Sequence, residues 1–255
     1  MKLAIGEQDS KSSATFILEF AVLKLAIGGA RLINLLVRKG GEMKEKAHQV
    51  YRSKGGIIVP SVTQVIGILN KPVLVTWANK LGLQGIDVKK YVDNKAEIGT
   101  VAHRMILDYF LDQETDFSEC SKEVIDKAEN SFLSFLEWTK NREVKPLFVE
   151  KSMVSEVELF GGTFDFYGLI DGEKTLVDFK TGNGIYPEYF YQLAGYSILL
   201  EEVGMKVRKG MILNIPRTED ERFLFQSVDS FEREKKVFRH LLSIYWLEKE
   251  GKYGN

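Results

Sequence analysis

The chain has 255 residues, 44% apolar and 28% charged, and its 35 Lys and Arg against 36 Asp and Glu leave a net charge of −1. So even a balance gives no global attraction to a polyanion, and any nucleic acid must be held by a local basic patch or by metal ions. One cysteine, Cys120, excludes a disulfide framework, a cysteine-rich zinc site and a four-cysteine iron–sulfur cluster, and it suits a reducing, cytoplasmic setting.

Residues 14–37 are the most apolar stretch, but Glu19, Lys24 and Arg31 interrupt it, short of the roughly 18 uncharged residues of a membrane span. Glu7 and Asp9 spoil the basic start of a secretory signal. The apolar residues fall all round a helical wheel, as in a buried or poorly defined segment. Lys39-Gly40-Gly41-Glu42 before Met43 is what a purine-rich ribosome-binding sequence would encode if read in frame. Residues 1–42 therefore read as an N-terminal extension that a start at Met43 would remove, and residues 43–255 as one domain. A native mass near 29.0 kDa would defeat the shorter start.

Ser61 opens a helix with a capping box through Gln64, running to about Leu69. A second begins at Lys71-Pro72, with proline at the tolerated first turn and Val75, Trp77, Ala78 and Leu81 as packing residues. Ser61, Thr63, Lys71 and Lys80 are either caps and solvated groups or phosphate contacts. Ala96 to Leu111 is a helix in which Gly99 and His103 share a face. Glycine there costs about 1 kcal/mol relative to alanine, so close approach of another backbone is expected beside it. His48 and His240 read as surface or packing residues. Ser121 to Arg142 is an amphipathic scaffold helix with Val124, Ala128, Phe132, Phe135 and Leu136 inward. Lys145 to Ser155 is a strand whose Glu150 is either outward-facing on an edge or an acidic member of a site.

Gly161 to Lys180 forms a hairpin about Asp171-Gly172, a pair that tolerates the positive φ both turn positions need. With those two as the loop, facing residue numbers sum to 343, so Asp165 and Asp178 face each other with β-carbons about 4.5–5.5 Å apart. Lys180 shares the face of Asp178, while Phe164, Phe166, Val177 and Phe179 point to a core. Facing carboxylates repel, and two of them beside a lysine suit a divalent metal. Pro187 starts a helix that stacks Gln192 on Tyr196, with Tyr186, Tyr189, Phe190 and Tyr191 as stacking surfaces or core. Strands over 206–216 and 222–228 and a helix over 231–249, with Phe238, Leu241, Leu242 and Trp246 inward, complete the chain.

Gly162-Thr-Phe-Asp165, Asp178-Phe-Lys180-Thr-Gly182, Gln192-x-x-x-Tyr196 and the upstream Gly99-x-x-x-His103 together resemble the RecB-like branch of the PD-(D/E)XK nuclease superfamily. Pro60 to Val65 and Lys71-Pro-x-Leu-Val-x-Trp77 resemble its phage-type exonucleases. The resemblance implies an α/β fold, a central mixed β-sheet flanked by helices, with a restriction-endonuclease-like core. It implies Asp165, Asp178 and Lys180 as catalytic residues, and His103, Asp165, Asp178 and the Phe179 carbonyl as ligands of Mg²⁺ or Mn²⁺. Glu150 corresponds loosely to a further acid, and Gln192 and Tyr196, with Ser61 and Thr63, to substrate contacts. Without four cysteines, no iron–sulfur cluster is expected. The implied function is a metal-dependent DNA exonuclease in end processing, recombination or repair. It would act on linear single- or double-stranded DNA in the cytoplasm, or in the host cytoplasm if the chain is viral. A homo-oligomer or a recombination partner would fit that role, and no membrane is involved. An endonuclease of the same superfamily and a catalytically silent nucleic-acid-binding protein are the alternatives.

Overall fold

The computed structural model describes residues 4–7 and 49–253. The apolar stretch 14–37, the alternative start at Met43 and His48 lie outside them. The architecture is a mixed sheet between two helical layers. Its strands are β1 (Ala4–Glu7), β4 (Val144–Ser155), β5 (Phe160–Ile170), β6 (Glu173–Lys180), β7 (Lys209–Asn214) and β8 (Leu224–Val228), in the order β1-β8-β7-β6-β5-β4. A small ribbon, β2 (Tyr51–Arg52) with β3 (Ile58–Val59), forms a second sheet, with the Tyr51 ring against Gly161 of β5. Among the described strands of the larger sheet, only β6 and β7 pair in parallel, and the helix between them makes the crossover that parallel neighbours need.

One face of the sheet carries α3 (Val88–Leu111) and α4 (Lys122–Thr139). Their Ile106, Leu107, Leu133 and Phe135 pack with Phe166, Val177 and Phe179. The other face carries α1 (Val62–Ile66), α5 (Pro187–Glu202) and α6 (Glu232–Tyr253), whose Val62, Leu193 and Phe238 pack with Phe164, Tyr167 and Leu176. Both faces of the hairpin are thus apolar over most of their length, contrary to the expectation of one apolar and one polar face. Alternation also breaks at Asp165, since Phe164 and Phe166, two apart, pack in different layers.

The local signals act as their chemistry requires. Ser61 Oγ accepts the Gln64 N–H and Gln64 Oε1 accepts the Ser61 N–H, closing the capping box. The Asp171 and Gly172 φ angles are 51° and 81°, the left-handed pair of a tight hairpin turn. Asp171 Oδ1 also accepts the Glu143 N–H at 2.9 Å. Helix α3 starts two turns before Ala96, where Asp87 caps it by accepting the Lys90 N–H.

Helix α2 (Pro72–Leu83) departs from expectation. None of its residues is buried, and Val75 is 73% exposed. The helix lies outside both layers and touches mainly α3, so its apolar residues have no sheet to pack on. Trp77 instead meets Tyr91 of α3 at 6.1 Å between ring centroids.

Candidate active site

The hairpin register places the acids. Pairs from Ile170↔Glu173 to Phe166↔Val177 all obey the expected register, and the ladder then stops one residue short of Asp165 and Asp178. Strand β6 stays with β7 as far as Lys180↔Asn214, so β5 and β6 part at the aspartates. Contrary to the expectation from the sequence, the two acids therefore do not form a ladder pair. In place of strand pairing, Asp165 Oδ2 accepts the Phe179 N–H at 2.9 Å. Separation relieves part of the repulsion between two carboxylates that would otherwise face each other at contact distance.

Helix α3 supplies His103, whose Nε2 lies 2.9 Å from the same Asp165 oxygen. The close approach expected at Gly99 is real but is made by a side chain. A β-carbon there would lie 2.5 Å from Thr181 Oγ1. The helix is thus seated directly on the segment that follows Lys180.

On the other side, Lys180 Nζ lies 2.5 Å from Asp178 Oδ2 and donates to Gln192 Oε1 at 3.1 Å. It stands 5.0 Å from the centre of the Tyr189 ring, a cation–π contact. Gln192 Nε2 donates in turn to the Tyr196 hydroxyl at 2.9 Å, so the i, i+4 stack on α5 forms one hydrogen-bonded line with the lysine. Asp178 is 1% exposed, and its Oδ2, despite the adjacent ammonium, has no well-directed hydrogen bond.

Burial pushes the Asp178 carboxyl up to about 6, with the Asp165 charge adding to the rise and the lysine opposing it. Asp165 is less deeply buried, with 15% of its side chain exposed, and burial alone would raise it too. Charge and hydrogen bonding from His103, the Lys180 charge and the Phe179 N–H outweigh that and hold it below the usual carboxylate range. Lys180 is raised: burial disfavours its charge, and the two aspartates more than compensate, so it is an ammonium at neutral pH. Burial, followed by the two aspartate charges, drives the Tyr196 phenol well above its ordinary value, which keeps it a neutral hydrogen-bonding group.

Glu150 lies on β4, at an edge of the sheet, and also borders the same cleft as Asp165 and Asp178. The pairs Val149↔Phe166 and Lys151↔Phe164 bracket it at the level of Asp165. Acids therefore occupy β4, β5 and β6 side by side. Its φ is 47° inside a strand, a conformation that costs a non-glycine residue about 1–3 kcal/mol and that is common where a site needs a side chain aimed.

The cleft has a volume of about 1550 Å³. Its floor holds His103, Asp165, Asp178, Phe179, Lys180 and Gln192, while Trp77 and Tyr91 form part of its wall. Tyr196 reaches this group through Gln192, and Ser61 and Thr63 are not among the lining residues. Ser61 instead caps α1 and bonds Thr63 Oγ1 at 2.9 Å. Of the aromatic residues after Asn183, Tyr186 and Tyr189 line the cleft and Phe190 is core.

Sequence reasoning missed Arg104, which lines the cleft and is held by the buried Asp108, with Nε at 2.8 Å from Oδ1. Their i, i+4 spacing was a readable signal. It also missed Asn214, the polar end of β7, and Arg217, three residues beyond it.

The fold is α/β, a mixed sheet between helical layers, with its acidic and lysine residues gathered where two strands diverge. No family model matches the chain, and no curated protein is significantly similar to it. Among solved structures, it is similar to a candidate exonuclease from Eubacterium rectale at 12% identity and a TM-score of 0.40. That match covers 59% of this chain and 65% of the other, so this chain spans about two thirds of that protein's length. It is also similar to the alkaline exonuclease of Laribacter hongkongensis, at 14% identity and a TM-score of 0.34, over 59% of this chain and 87% of that one. The same enzyme in complex with dAMP aligns at 14% identity and a TM-score of 0.35, over 62% and 91%.

Proposed function

We propose that the protein is a metal-dependent DNA exonuclease that hydrolyses phosphodiester bonds at linear ends, in DNA end processing, recombination or repair. One observation carries this reading. A buried aspartate, Asp178, and the largely covered Asp165 and Lys180 meet at the parting of β5 and β6, in a cleft partly lined by aromatic side chains. A pair of like charges gathered out of water destabilises a fold, and its use is chemical.

Asp165 and Asp178 would hold a divalent cation, with His103, Glu150 and the Phe179 carbonyl as further donors. The buried Asp178 carboxylate, which the Lys180 ammonium already approaches, fits this role. Oxygen donors suit Mg²⁺, and an added imidazole favours Mn²⁺. Among the described residues no three acidic, histidine or cysteine side chains already converge as a ligand cage. His103 is engaged with Asp165, and Lys180 with Asp178. When bound, the cation supplies a Lewis acid and acidifies its water.

The chain's own groups do the rest. Lys180, an ammonium steadied by Gln192 and Tyr189, orients the attacking water and stabilises charge as it develops on the phosphate oxygens. Gln192 fixes the direction of Lys180, and Tyr196 fixes Gln192. Tyr186 and Trp77 offer aromatic faces to nucleobases beside the reacting phosphate.

End-labelled linear DNA and closed circular DNA, each incubated with Mn²⁺, test the reading. We expect degradation of the linear DNA alone. Cutting of circles would make the protein an endonuclease, and no cutting of either would make it a silent binder.

A further inference from the structure

Beyond Lys180 the chain leaves the sheet, and Gly182 has lost its strand partner. The Asn214 side chain, 1% exposed at the end of β7, takes that partner's place. Its Oδ1 accepts the Gly182 N–H at 3.1 Å and its Nδ2 donates to the Gly182 carbonyl at 2.8 Å. The next residue, Ile215, donates its N–H to the Lys180 carbonyl at 2.7 Å. Two residues further, Arg217, 6% exposed, donates Nη2 to Asn183 Oδ1 at 2.9 Å. Glu221 locks that guanidinium through both carboxylate oxygens.

The gripped segment is pressed from the opposite side as well. Thr181 Oγ1 occupies the space that a β-carbon on Gly99 would fill, one helical turn from His103. Residues 180–183 are therefore wedged between α3, which presents His103 to Asp165, and the turn after β7.

We propose that Asn214, assisted by Arg217, is a positioning residue for catalysis. It fixes Lys180 and the segment after it against α3, and so sets how the Lys180–Asp178 half of the site meets the His103–Asp165 half. The inference rests on the reading of Lys180 given above. An asparagine that only satisfied buried backbone groups would affect stability and leave turnover per folded molecule unchanged. A positioning residue changes turnover without changing affinity, because misplacement by about 1 Å at a reacting centre can cost on the order of 100-fold in rate.

The test is Asn214→Ala, assayed for maximal rate and half-saturating concentration on linear DNA. In parallel, the ¹³C-labelled lysine side chains would be observed by NMR, with the Lys180 resonance assigned by its loss in Lys180→Ala. We expect the maximal rate of the folded variant to fall roughly 10- to 100-fold, the half-saturating concentration to hold, and the Lys180 resonance to move. An unchanged rate, or a fall matched by weaker DNA binding with the resonance unmoved, overturns the proposal. If Asn214→Ala does not fold, Arg217→Ala decides, because it releases Asn183 and leaves the Gly182 bonds intact. A smaller fall in rate with a moved resonance supports the clamp, and neither change overturns it. If the wild-type protein hydrolyses no DNA, the nuclease reading fails. The Lys180 resonance then judges the clamp alone, by moving or by staying.

Discussion

Asp178 carries the strongest electrostatic stress at the site. Its folded-state pKa is raised from 3.8 to about 6, so the native protein binds this proton more tightly than the unfolded chain does. Its contribution to stability is full below pH 4 and is lost as pH rises through about 6, a change of about 3 kcal/mol at 1.36 kcal/mol per unit. Asp165, held low, contributes in the opposite sense, with stability present above its ordinary pKa and lost in acid. Metal-free Asp178→Asn should therefore be more stable than wild type at pH 8, by up to about 3 kcal/mol, and the advantage should vanish towards pH 4. Thermal denaturation across that range measures it, and a less stable variant at pH 8 would show that the aspartate is not under stress. Saturating Mn²⁺ should reverse the order, since a ligand that binds only the native site stabilises it by mass action. Glu150 makes a second case. Glu150→Gly relieves the positive φ at 47° and should raise stability by about 1 kcal/mol. The same change should slow hydrolysis, and a variant that loses stability without losing rate would place Glu150 outside the site.

At the scale of elements, the hairpin and α5 depend on each other. A β-carbon on Gly162 would lie 2.6 Å from Tyr196 Cε1 and 3.1 Å from Val62 Cγ2. Gly162→Ala must therefore move the ring that anchors Gln192 and, through it, Lys180. Overpacking of this kind costs about 1–3 kcal/mol, which urea denaturation would measure, and the hydrolysis rate should fall with it. The features legible in sequence were those set by local chemistry. The Asp171-Gly172 turn fixed the register, Ser61 and Gln64 fixed a helix start, and the Gly99–His103 spacing placed a histidine by a close approach. Features set by tertiary competition were not legible. The period-2 rule gives Phe164 and Phe166 the same face, yet they pack in different layers, on either side of the break in pairing between Asp165 and Glu150 with its φ of 47°. The apolar pattern of α2 reads as a packing face, although α2 has no sheet beneath it and leaves Val75 in solvent. Asn214 reads as the polar end of a strand, because its partner, the Gly182 backbone, lies 32 residues away.

At the scale of the molecule, the sheet is the device that assembles the site. Its acids come from β4, β5 and β6, its histidine from the helical layer on one face and its glutamine–tyrosine pair from the layer on the other. Because these parts converge only in the folded chain, the loss of one charged group should remove function without removing the fold. Single-turnover hydrolysis of linear DNA with Mn²⁺, by wild type and by Asp178→Ala and Lys180→Ala proteins of unchanged circular dichroism, tests this most directly. The account predicts that both variants lose roughly 100- to 1000-fold in rate, the scale expected when groups that stabilise developing charge are removed. Substantial hydrolysis by either purified variant would contradict it.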